Sequence, residues 1–190
     1  MKSVSKGEFY SLYSSLHGWG AVVAGKDGLL ENFLPFGGRN REEVIEDVTR
    51  CWSAVREDGG YASDAARMLA AYFEGKKPDF RLPIDWSRFT EFQAAVYAAV
   101  SKIPHGSVRS YAEVAVSMGR PSAARGVGAS MAANPLPIII PCHRVVGSSG
   151  CLTGYSGFGG IDSKAWLLRL EGITLDDAGR VAEHVKHRSH

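Results

Sequence analysis

Residues 138–150 read IIIPCHRVVGSSG, with Cys142, His143 and Arg144 following directly on an isoleucine run that ends in Pro141. Three such polar groups beside a buried strand are costly unless they are partnered or have a task. A cysteine attacks as its thiolate, and a free thiol is mostly protonated at neutral pH, so it needs a base or a cation close by. His143 is adjacent in sequence. In an extended segment neighbouring side chains point to opposite faces, so a turn or a bridging water has to connect the two. A histidine acting as base needs an orienting carboxylate in its turn. Glu171, in WLLRLEG, ends an apolar helical stretch just before Gly172. There it meets the negative end of the helix dipole, which is mildly unfavourable, and a cationic partner elsewhere would explain it. By spacing alone, Cys142, His143 and Glu171 fit a nucleophile site and a purely structural cluster equally well.

The whole chain limits what such a site can serve. Its 190 residues suffice for one or two small domains with proper cores. No apolar run reaches the length of a membrane span, so no membrane partner is expected. The start, MKSVSKGEFYSLY, has no apolar core of a secretory signal. The three cysteines, Cys51, Cys142 and Cys151, lack paired spacing, which argues against a disulfide framework and suits a reducing, cytoplasmic setting. Neither C-x-x-C nor H-E-x-x-H occurs, so no metal and no other cofactor is expected. His184, His187 and His190 read as part of a solvated tail. Charge is unevenly spread: residues 1–91 hold 12 Lys/Arg against 14 Asp/Glu, and residues 92–190 hold 10 against 6. That asymmetry suggests that the second half meets a polyanion.

The elements that must position the site divide into two parts. Residues 1–86 read as an α/β domain, a small antiparallel sheet with helices. GWGAVVAGKDGLLENFLPF gives two strands around a Lys26-Asp27-Gly28 turn. REEVIEDVTRCWSAV follows with Val44, Val48, Cys51, Trp52 and Val55 at helical spacing, which makes Cys51 a core residue. SDAARMLAAYFEG is a second helix, capped by Ser63 and ended by Gly75. The proline-punctuated KKPDFRLPID reads as a linker or extended arm.

Residues 87–190 read as a mostly α-helical domain with a helix-turn-helix. TEFQAAVYAAVSKI opens with Thr90 and Gln93 in capping-box spacing, and SYAEVAVSMG does the same with Ser110 and Glu113 before Gly119 stops it. RPSAARGVGASMAANP places Pro121 near its first helical position and ends at Asn134-Pro135. Two short helices with a glycine-containing connection form a helix-turn-helix candidate. From Ser122 to Ala133 only Arg125, Val127 and Met131 exceed serine in size. Such a bare helix suits tight packing against a neighbour, close approach of a nucleic-acid backbone, or both, on its two faces.

In order and at nearly the right spacing, SYAEVA, AARGVG, NPLPIIIPCHRVV, GYSG and WLLRLEG resemble the O6-alkylguanine-DNA alkyltransferase family from about Phe89 to Gly172. The resemblance implies direct-reversal DNA repair: the chain flips O6-alkylguanine out of double-stranded DNA, through the minor groove, and takes the alkyl group irreversibly onto Cys142. It implies that His143 and Glu171 form a relay that activates Cys142 through water, and that Asn134 braces the turn between the recognition helix and the cysteine segment. It implies that Arg125 enters the duplex in place of the flipped base, that Tyr111 pushes on the flanking phosphate, and that Met131, Tyr155 and Ser156 wall the pocket. The backbone at Cys142 and Val145 reads the exocyclic amine on this view. A monomer acting once, in the cytoplasm or the nucleus of a eukaryote, is expected. The segment between Tyr155 and Lys164 is about two residues longer than the family loop.

Three other readings compete. Alkyltransferase-like proteins keep the flipping machinery without the acceptor cysteine, which Cys142 argues against. A Cys-His-Glu hydrolase would turn over, but the helix-turn-helix with Arg125 counts against it. A plain DNA-binding regulator would bind undamaged DNA in a sequence-specific way.

Overall fold

A computed structural model describes residues 7–53, 55–57, 60–155 and 159–182. The expected solvated tail with His184, His187 and His190 lies outside the described residues. The chain folds as two compact units, Met1–Trp86 and Ser87–His190.

In the first unit the strands β1 (Phe9–Ser15), β2 (Gly18–Gly25) and β3 (Gly28–Phe33) form consecutive antiparallel hairpins. The second of these turns at Lys26-Asp27-Gly28. Gly28 has φ 136° and its Cα faces the backbone of Pro83, where a Cβ would come within 2.5 Å. A two-residue strand, β4 (Arg56–Glu57), joins the outer side of β1 in parallel, so the sheet order is β3-β2-β1-β4 and the sheet is mixed rather than wholly antiparallel. The parallel pair is possible because the long connection through β2, β3 and a helix separates its two strands.

Helix α1 (Arg41–Cys51) starts at a capping box between Asn40 and Glu43 and buries Val44 and Val48 against Tyr10, Ala21, Val23, Leu30 and Trp52. Two expectations fail here. Cys51 is exposed, because the helix ends on it and the chain turns so that Trp52 is buried instead. The Trp52 indole N–H donates to Glu31 at 2.8 Å, which fixes the direction of that turn. Helix α2 (Gly60–Phe73) begins three residues before Ser63, so Ser63 lies within it. Its buried stripe starts at Ala62 and runs through Ala65, Ala66, Leu69 and Tyr72, so packing extends the helix past the local capping signal. Gly75, at φ 81°, ends it as expected. The proline-rich arm returns to the sheet, where Leu29 N–H donates to Pro83 O at 2.8 Å.

Among the described residues the regular structure of the second unit is mostly helical, with one short two-stranded ladder and a few isolated bridges. Helix α3 (Glu91–Val100) has the Thr90–Gln93 capping box and buries Val96, Tyr97 and Val100. A two-residue strand, β5 (Arg109–Ser110), leads into α4 (Tyr111–Ser117), which has the Ser110–Glu113 capping box. A single 3-10 turn (Pro121–Ala123) precedes α5 (Ala124–Ala132), so proline opens that turn and the α-helix proper starts later. A second 3-10 turn, Cys142–Arg144, is followed by β6 (Val145–Val146), which pairs in parallel with β5. The chain then reaches α6 (Gly160–Leu170). Among the described residues no helix is long and apolar enough to cross a membrane.

Candidate active site

Three local structures converge on Cys142. The first is the connection from α5. Asn134 Nδ2 donates to the Ile140 carbonyl at 2.9 Å, and its Oδ1 accepts the Leu136 amide at 3.0 Å. Leu136 and Ile140 close the same loop with a backbone bond of 2.8 Å. Within it Ile138 has φ 75°, although it is β-branched and buried. That conformation costs on the order of 1–3 kcal/mol and persists only where the surroundings fix it; the Asn134 bonds on either side of Ile138 do so.

The second is the Cys142–Arg144 turn itself. An extended segment would have sent Cys142 and His143 to opposite faces. The 3-10 turn instead buries both side chains, with His143 0% exposed. The third is the ladder of β5 with β6, which ties Val145 and Val146, directly after the turn, to Arg109 and Ser110 at the start of α4. The helix-turn-helix and the cysteine segment are thereby locked to each other.

Glu171 caps the end of α6 and is fully buried. His143 Nε2 lies 2.8 Å from its Oε1. Arg144 donates to the same carboxylate through Nε, at 2.9 and 3.2 Å, and through Nη2 at 2.8 Å. The Gly106 amide adds a donor at 3.2 Å. Burial pushes the Glu171 carboxyl up, but His143 and Arg144 outweigh it and hold the group well below the usual carboxylate range. An ionised carboxylate only accepts, so Nε2 of His143 carries the hydrogen and Nδ1 is the basic nitrogen. Burial lowers the His143 pKa, with Glu171 pulling it back up, so the imidazole stays neutral. Burial raises the Cys142 thiol, while the Asn134 side chain, the Lys164 charge and the amides of Cys142 and His143 pull it down.

The remaining predicted positions are distributed around this centre. Tyr111 opens α4 half-buried, and its hydroxyl donates to the Thr153 carbonyl at 3.1 Å. Met131 is buried in α5. Val145 is buried, and its carbonyl accepts from Lys164 Nζ at 2.6 Å. Tyr155 is half-buried, whereas Ser156 lies outside the described residues. Arg125 is not at the thiol. It stands on the exposed face of α5 with Ala129 and Ala132, while Val127, Ser130 and Met131 face inward. The two glycines of this helix differ: a Cβ on Gly126 would stand 2.9 Å from the Phe92 ring, but one on Gly128 would make ordinary contact with Tyr111 at 3.8 Å. Tight packing thus accounts for Gly126 alone.

Residues 91–173 match the family described as "6-O-methylguanine DNA methyltransferase, DNA binding domain". Over 150 residues the chain is 43% identical to the methylated-DNA–protein-cysteine methyltransferase of Methanosarcina barkeri, covering 79% of this chain and 89% of the relative. The chain belongs to the methylated-DNA–protein-cysteine methyltransferase family. Its fold agrees: the crystal structure of Mycobacterium tuberculosis O6-methylguanine methyltransferase superposes with a TM-score of 0.68 at 37% identity, covering 93% of this chain and 96% of that one. A crystal structure of Mycobacterium tuberculosis OGT in complex with DNA matches with a TM-score of 0.67 at 40% identity, over 86% of this chain and 92% of that one.

Two residues of this candidate site were not anticipated from the sequence. Arg144 is the cationic partner that Glu171 needed, and Lys164 is a fully buried lysine on α6. Lys164 stands three, four and seven residues before Leu167, Leu168 and Glu171, so helical spacing already sets it on the buried face.

Proposed function

We propose that the chain repairs O6-alkylguanine in duplex DNA by moving the alkyl group onto Cys142 in a single, irreversible transfer. The observation that carries this is the buried Cys142 in a tight turn, followed at once by His143, whose Nε2–H is held by the ionised Glu171. Family membership gives the reaction; the turn gives it an acceptor.

The chemistry follows from the groups present. Nδ1 of His143 takes the thiol proton through a water molecule, and the Cys142 sulfur attacks the alkyl carbon. The S–C bond forms as the C–O6 bond breaks, and the leaving guanine recovers a proton. Asn134 serves by holding the loop that carries the thiol. The product is a thioether, which water does not cleave, so each protein acts once.

A base inside a duplex hides its lesion, and rotating it out costs a few kcal/mol. Arg125 on the bare outer face of α5 fills the gap, in the manner of other minor-groove wedges. The small residues around it let the helix approach the narrow groove, whose limited sequence information suits repair at any sequence. Tyr111 releases Thr153 to press on the flanking phosphate. Met131 and Tyr155 line the pocket, and the carbonyl of Val145, which has a second lone pair beside its Lys164 bond, accepts from the exocyclic amine. The protein works as a monomer, in the cytoplasm with the chromosome.

The experiment is a titration of a fixed amount of protein with increasing O6-alkylguanine duplex. Transfer that saturates at one alkyl group per chain supports the proposal. Continued turnover on the lesion or on an ester would favour a Cys-His-Glu hydrolase, and tight lesion binding without transfer would make the chain a damage sensor.

A further inference from the structure

Lys164 has no part in the transfer as derived so far, yet it is 0% exposed. Its Nζ donates to the Val145 carbonyl at 2.6 Å and to the Thr153 carbonyl at 3.1 Å, and lies 5.9 Å from the centre of the Tyr111 ring. Among the described residues no carboxylate reaches it. A buried ammonium without an anion costs several kcal/mol, and methionine or leucine would fill the same space without that cost. Two carbonyl dipoles soften the penalty but do not cancel the charge.

The charges around it can be assigned one by one. Glu171 is negative, and Arg144 grips it through Nε and Nη2. That pair is neutral as a whole. Burial keeps His143 uncharged. The phenols of Tyr97, on α3, and Tyr111, on α4, are pushed up by burial and stay protonated, Tyr97 to about 12. Lys164 is left as the uncancelled charge, and the neighbouring group that can take the opposite sign is Cys142. Each influences the other: the Lys164 charge favours the thiolate, and a thiolate favours the ammonium against the burial that pulls Lys164 down to about 8.

We propose that Lys164 is a positioning residue for the transfer: its ammonium, fixed by the Val145 and Thr153 carbonyls, is the counter-charge against which the Cys142 thiolate forms. This rests on Cys142 as the alkyl acceptor. Lys164 keeps its protons throughout. The thiol proton leaves through His143, the S–C bond replaces the C–O6 bond, and guanine takes the electron pair and the proton. The neutral thioether then leaves Lys164 without an anion.

The test compares unsubstituted protein with Lys164→Met and Lys164→Arg across pH. Two readouts are taken: modification of Cys142 by iodoacetamide, followed on its peptide, and methyl transfer from an O6-methylguanine duplex. The Met variant is expected to react about tenfold more slowly near neutral pH, to approach the unsubstituted rate at high pH as its profile moves up by about one unit, and to keep its affinity for the lesion duplex. Arg should hold the profile near its original position. A Met profile that coincides with the unsubstituted one, or a loss uniform across pH, overturns the proposal. Should the Met variant not fold, NMR titration of isotope-labelled lysine in the unsubstituted protein decides: Lys164 should lose its proton at lower pH once Cys142 is methylated, and an unchanged titration overturns the proposal. Absence of methyl transfer by the unsubstituted protein would instead sink the repair function, while the iodoacetamide profiles still judge Lys164.

Discussion

Arg144 donates to the buried Glu171 carboxylate through Nε at 2.9 Å and Nη2 at 2.8 Å, so the same carboxylate that orients His143 is neutralised by the next residue along. Removing one partner of a buried pair leaves the other charge uncompensated, a loss of about 3–5 kcal/mol. The Arg144 side chain is 11% exposed, which points to the lower end. Arg144→Met is expected to lower stability by about 3 kcal/mol in urea unfolding and to slow transfer as well. Glu171→Gln strands the Arg144 guanidinium instead, but that group keeps 11% exposure to solvent whereas Glu171 has none, so this should be the milder change in stability.

Acid should weaken the fold, and the direction follows from both buried groups. The Glu171 carboxyl is held below its unfolded value, so its contribution is complete above the unfolded pKa, about 4.3, and is lost as pH falls toward the lower folded value. His143 is held neutral, with its folded pKa below the unfolded value of about 6.5. As pH falls past that value the unfolded chain takes a proton that the folded chain refuses, and stability drops. Urea midpoints measured between about pH 7 and pH 5 should fall, and His143→Gln should flatten that slope. An equal slope in the variant would remove His143 from the account.

Much of the fold was legible because its signals are local. The Lys26-Asp27-Gly28 hairpin and the capping boxes at Thr90 and Ser110 are each written within a few residues, and each forms. Cys51 and Ser63 misled for the opposite reason. Whether α1 ends at Cys51, and whether α2 starts before Ser63, depends on which residues the sheet can bury, Trp52 in one case and Ala62 in the other. At the site, Cys142, His143 and Glu171 could be named from sequence, but the turn joining them could not. It depends on Asn134 bracing a loop that holds Ile138 at positive φ. Arg144 was hidden by the same turn, because in an extended strand it would not share His143's carboxylate. Lys164 carried a readable signal, its place on the Leu167, Leu168 and Glu171 face of α6.

The glycines of α5 should respond differently to alanine. Gly126→Ala drives a Cβ to within 2.9 Å of the Phe92 ring, and overpacking of this kind costs about 1–3 kcal/mol, which a helix-propensity gain of up to about 1 kcal/mol only partly offsets. Gly128→Ala meets only an ordinary contact with Tyr111 at 3.8 Å, and it gains up to about 1 kcal/mol of helix propensity. Thermal unfolding should therefore show the first variant destabilised and the second unchanged or stabilised. Reversed signs would mean that α5 does not pack on α3 as described.

Arg125 is exposed on α5 whereas Cys142, His143 and Glu171 are buried, so its loss should touch flipping and not chemistry. Arg125→Ala is expected to slow transfer from duplex DNA by about tenfold to a hundredfold, the equivalent of a few kcal/mol of flipping cost. Transfer from the free base O6-benzylguanine should stay near the unsubstituted rate. Equal loss on both substrates would place Arg125 in the chemical step instead.

The central claim is that Cys142 accepts the alkyl group, and the most direct measurement is the mass of the protein and of its peptides after mixing with excess duplex carrying one O6-methylguanine. The account predicts a single added methyl group per chain, carried on the Cys142 peptide, and none in Cys142→Ala, which should still bind the lesion. A methyl group on Cys51 or Cys151, or transfer that survives in Cys142→Ala, would contradict it.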